Sequence, residues 1–175
     1  MAGSAGTRNR SEPDLLGIYL NDHLAIETGM VELARRTARA HLDSDIGDVL
    51  AKLAAEIAED RAALRQMMAA LGVPIRHYKV YAAWVGEKAG RLKLNGYVRG
   101  RSPLSVVVEL EVLRLGAAGK ASGWRTLREV AGRDGRLDAA RLDELLSRAR
   151  RQAERLEELH ARTTSEVFGA QVASA

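Results

Sequence analysis

Ionisable side chains on apolar helix faces are the residues of this chain with the types and spacing to do chemistry. His23 and Glu27 lie one turn apart in the row Leu16, Leu20, His23, Glu27, Met30, Ala34, Ala38, His41. Steps of three and four trace one face of an α-helix. Asp60 falls in a second row, Ile46, Leu50, Leu53, Ile57, Asp60, Leu64, Met67, Leu71, with Glu56 at its edge. Glu109 and Glu111 flank a third, Val106, Leu110, Leu113, Ala117, Ala121, Trp124. A fourth row is Leu142, Leu145, Leu146, Ala149, Ala153, Leu156, His160, Thr163, where Glu157-x-x-His160 sets an acid beside an imidazole. Buried charges are costly unless paired or metal-bound, so these positions need partners. One solution is a metal held by carboxylates and imidazole. The other is polar pairing that fixes register, His23 to Asp60 or Glu27, with Arg114 or Arg125 on a neighbouring acid.

A second constellation is basic. Residues 76–101 carry seven Lys or Arg against Glu87, a net +6, while the rest of the chain sums to −2. Tyr78, Tyr81, Trp84 and Tyr97 interleave with these cations. Lys and Arg suit phosphates and aromatics can stack on bases, so the segment is a candidate surface for nucleic acid or an acidic partner. Arg91, Lys93, Arg99 and Arg101 are its anion-binding candidates, beside the helix start at Ser102-Pro103. The competing reading is a solvated basic face. Arg35, Arg36, Arg39, Arg148, Arg150 and Arg151 read as exposed helix faces.

The elements that position these residues are helical throughout. Aromatics are 4% of the chain, and Ala, Leu, Arg and Glu dominate. Ser11, Pro13 and Asp14 mark a first helix start, ending near Leu42. Asp43-Ser44-Asp45 starts a second, stopped by Gly72 and Pro74. A crossover helix is predicted over 76–94, closed by Asn95-Gly96. Ser102-Pro103 starts the next long helix, Gly132 breaks it, and Asp138 caps a last one running to about Val167. Gly86, Gly90, Gly116, Gly119 and Gly123 lie inside helices, which suits close helix approach or a bend. Two short links imply two antiparallel hairpins joined by the crossover, with a plain five-helix up-down array as the alternative. The expectation is one all-α four-helix-bundle domain over 11–168, with a disordered tail over 1–10 and a flexible one over 169–175.

Glu27, Glu109 or Glu111, and Glu157 with His160 resemble the ligand set of ferritin-like di-iron carboxylate proteins. That family uses a Glu from each of two helices and Glu-x-x-His from the other two. The resemblance implies a ferritin-like bundle holding iron or manganese, in an oxidoreductase or storage role. Its ligands here are Glu27, Asp60, Glu111, Glu157 and His160, with His23 beside them. Helix two departs from the pattern, since Glu56-Ile57-Ala58-Glu59 has Glu where His belongs. The run Arg91-Leu92-Lys93-Leu94-Asn95-Gly96, Arg101-Ser102-Pro103-Leu104-Ser105 and Glu109-Leu110-Glu111 also resembles an uncharacterised family of small bacterial helical proteins.

Counting depth tests the metal reading. Glu27 and Asp60 lie 16 and 17 residues from Asp43, while Glu111 and Glu157 each lie 23 from Asp134. Each pair is level with itself. The two pairs differ by roughly 10 Å if both turns share an end, or roughly 16 Å if they do not. Metals in a two-metal site sit only about 3.5–4 Å apart. The leading expectation is therefore a non-enzymatic bundle acting through a protein partner or a homodimer surface, with no confident cofactor. The metal-binding and nucleic-acid readings stay open beside it. With no Cys there is no disulfide framework and no thiolate site, and no apolar run is long enough for a membrane span. A cytoplasmic protein is expected.

Overall fold

The computed structural model describes residues 14–42, 44–76 and 102–173, the side chains of 170–173 excepted. Among these residues there are four helices and no strand: α1 (Leu15–Arg39), α2 (Asp45–Ala70), α3 (Pro103–Ala131) and α4 (Ala139–Ala173). The predicted crossover helix over 76–94 and the tail over 1–10 lie outside the described residues.

Local chemistry sets the helix ends. Asp14 caps α1, its Oδ1 accepting from Gly17 N at 2.8 Å. Helix one therefore starts after Asp14, not with Asp14 inside its first turn as the capping pattern suggested. Asp45 and Asp48 lie in the first turn of α2, where they complement the positive helix end. Gly72 adopts φ 72°, the left-handed conformation that closes a helix, and Val73 N donates to Met68 O at 2.9 Å. Ser102 caps α3 through Leu104 N at 3.3 Å, with Pro103 at the first helical position. Asp138 Oδ1 accepts from Arg141 N at 3.1 Å. The last helix runs on to Ala173, through much of the stretch expected to be a tail.

The helices form a ring. α1 packs on α2 and α3, and α4 packs on α3 and α2. Arg136 Nη1 donates to Leu71 O at 3.1 Å, so the 132–138 turn meets the end of α2 away from the 40–44 turn. Near that same end, Asn21 of α1 binds Pro74 O and Arg76 N at 3.1 and 2.7 Å. Two apolar clusters fill the interior. One gathers Met30, Leu50, Ile57, Leu110, Leu113 and Leu156. The other gathers Leu20, Leu64, Met68, Trp124, Leu127 and Leu142. Fully burying such a side chain contributes about 1.5–3 kcal/mol.

Close approach explains two of the predicted helix glycines. A Cβ on Gly116 would lie 2.3 Å from Met30 Sδ, and one on Gly123 would lie 2.9 Å from His23 Cε1. A Cβ on Gly119 would meet nothing within 4 Å. Gly47 is more constrained, because its Cβ would fall 2.0 Å from the backbone oxygen of His41. Backbone cannot rotate aside as a side chain can. Gly47→Ala should therefore cost about 2 kcal/mol by urea denaturation. A neutral result would mean that the 40–44 turn adjusts freely.

Candidate functional site

Between the two apolar clusters lies one polar layer to which all four helices contribute. α1 supplies Glu27, between Leu24 of one cluster and Met30 of the other. α2 supplies Asp60, between Ile57 and Ala63. α3 supplies Lys120, between Ala117 and Ala121, and α4 supplies Arg148 and Gln152, on either side of Ala149. Glu27, Asp60, Lys120 and Gln152 are each exposed by 2% or less.

Asp60 is the hub. Its Oδ2 accepts from Lys120 Nζ at 2.8 Å and from Gln152 Nε2 at 3.1 Å. Its Oδ1 accepts from Arg148 Nη2 in a short charge-assisted contact. Arg148 Nη1 also donates to Glu59 Oε2 at 2.9 Å, and Gln152 Nε2 also reaches Glu56 Oε2 at 3.1 Å. Glu27 is held less well. Lys120 Nζ lies 3.8 Å from its Oε2, beyond hydrogen-bond reach. Burial pushes the Glu27 carboxyl up to about 7. Lys120 and Arg61 oppose that rise, and Asp60 adds to it.

The remaining sequence candidates are placed elsewhere. Glu111 Oε1 contacts His160 Nε2 at 3.1 Å, and Arg114 Nε lies 2.9 Å from Glu157 Oε2. Glu111 and Glu157 are about half exposed. Glu109 is buried and turns to α1, where Arg36 Nη2 and Thr37 Oγ1 donate to it at 3.1 and 3.0 Å. Lys120 stands nine residues beyond Glu111 on α3, about 13 Å of helix rise. The structure thus unites Glu27 with Asp60 but leaves Glu111, Glu157 and His160 in a separate place. Among the described residues, no group of three or more His, Asp or Glu could hold a metal ion. Arg91, Lys93, Arg99 and Arg101 lie outside the described residues.

His23 is half-buried against Tyr19, ring centroids 4.5 Å apart and tilted by 58°. Burial lowers its pKa, with Asp22 opposing. It makes no hydrogen bond to Asp60 or Glu27 among the described residues, contrary to the pairing the sequence suggested. Lys120 and Arg148 do that work instead. Arg148, expected on an exposed face, bends inward and keeps 20% side-chain exposure. Lys120 carried a signal in the sequence: three residues after Ala117 and four before Trp124, it continues the apolar row of α3.

Comparison with protein-family models, with curated proteins and with solved structures finds no match to this chain.

Proposed function

We propose that this protein is a non-enzymatic helical bundle that acts by binding a protein partner or a second copy of itself. Its two helix pairs are antiparallel hairpins in a ferritin-like arrangement, and its central layer serves to fix register. The observation that carries this reading is the position of Lys120. Its ammonium stands between the carboxylates of Glu27 and Asp60. With Arg148 it supplies two positive charges against those two acids. A divalent cation entering there would have to expel a buried ammonium, and the imidazole beside it, His23, makes no hydrogen bond to either acid among the described residues. A buried polar layer of this kind specifies which helices pair and in what register. Exposed Val112 and Leu115, one turn apart on α3, leave apolar surface at 44% and 63% exposure for a partner. Among the described residues no helix is long and apolar enough to cross a membrane.

Metal content decides between this reading and the metal-storage or oxidoreductase one. Protein purified without an affinity tag and then loaded anaerobically with iron or manganese should carry far less than one metal per chain by mass spectrometry. Near-stoichiometric metal, lost in Glu27→Ala and in His160→Ala, would sink the proposal. Sedimentation equilibrium over a wide concentration range then separates self-association from binding to another protein.

A further inference from the structure

A small cleft opens between α1 and α3, beside the polar layer. Tyr19, His23, Glu27, Lys120, Gly123 and Trp124 line it. It encloses about 10 Å³, room for about one water molecule. Two of the lining residues each carry a buried polar atom with no hydrogen-bond partner among the described residues, Trp124 Nε1 and Glu27 Oε2. Both side chains are 2% exposed. Buried polar atoms left without partners are rare enough to need an explanation.

The chemistry of the two atoms narrows the ligand. An indole N–H only donates, so the ligand must accept from Trp124. Above about pH 7 the Glu27 carboxylate only accepts, so there the ligand must also donate to Glu27. A bare metal ion or an ammonium ion gives Trp124 no acceptor. A halide gives Glu27 no donor. Water does both and fits the volume. We propose that this cleft binds a single water molecule, which accepts from Trp124 Nε1 and donates to Glu27 Oε2.

Nuclear magnetic resonance tests this directly. In Trp84→Phe protein a single indole proton remains, that of Trp124. Rotating-frame spectra should show a cross peak from it to water, with the sign of dipolar contact rather than of chemical exchange. That peak should persist in Glu27→Gln, which keeps a polar group in place, and vanish in Glu27→Leu. No dipolar peak in the folded protein would overturn the proposal, as would one that survives unchanged in Glu27→Leu. Because Glu27→Leu can fail to fold, oxygen-17 relaxation dispersion offers a second reading. Trp124→Phe should hold one long-lived water fewer than its parent, and equal counts would also overturn the proposal.

Discussion

Lys120→Met should destabilise the protein by about 3–5 kcal/mol at neutral pH, the largest single-residue effect expected in the polar layer. The substitution keeps an unbranched chain in the apolar row but removes the cation between Glu27 and Asp60. Asp60 would keep Arg148 and Gln152 as donors. Glu27 would lose its nearest positive charge and be driven further toward its neutral form. The cost therefore combines the lost Lys120–Asp60 pair with the proton that Glu27 must take up. The triple variant Lys120→Met, Asp60→Leu, Glu27→Gln should recover most of the loss. Well-packed apolar groups commonly match or exceed a buried ion pair in stability. Urea denaturation of the single and triple variants gives both numbers. A single-variant cost below about 1 kcal/mol would show that the layer is hydrated and not a sealed ionic core.

Glu27 makes stability depend on pH in the direction opposite to that of an ion-paired carboxylate, because burial raises its pKa. Its pKa is about 7 in the folded protein against 4.5 for the free group. The folded state thus holds a proton that the unfolded state has released between those values. The contribution is fully present below pH 4.5 and is lost as pH rises through 7. A shift of this size corresponds to about 3 kcal/mol. His23 acts with the opposite sign, because burial lowers its pKa below 6.5. Its contribution is present at higher pH and lost as pH falls. Other acids and bases add their own slopes. Comparison with Glu27→Gln cancels most of them, since that variant keeps every other group. The stability of wild type relative to Glu27→Gln should fall by about 3 kcal/mol from about pH 4.5 to about pH 8. A difference independent of pH would place Glu27 in contact with solvent or in a firm ion pair with Lys120.

The rows of apolar residues at helical spacing determined much of this protein. Leu20, Met30 and Ala34, then Leu50, Leu53 and Ile57, are buried where their rows place them. That success has a local cause, because a helix face is a property of sequence spacing alone. Gly72, Ser102 and Asp138 announced helix ends for a similarly local reason, since caps bind backbone within a few residues. The depth of Glu27 against Asp60 was also legible, because a short turn ties those two helices together.

What the sequence left open was everything that depends on how one helix pair meets the other. Whether the 40–44 and 132–138 turns share an end is decided by packing, and Arg136 on Leu71 O shows that they do not. That choice puts Lys120, rather than Glu111 or His160, level with Glu27 and Asp60. Arg148 was equally opaque, since a long side chain on a helix flank reaches solvent or interior depending on what lies opposite. Spacing records which face a residue occupies. It does not record which charge will face it across the bundle, and here that charge is an ammonium rather than a metal-binding imidazole.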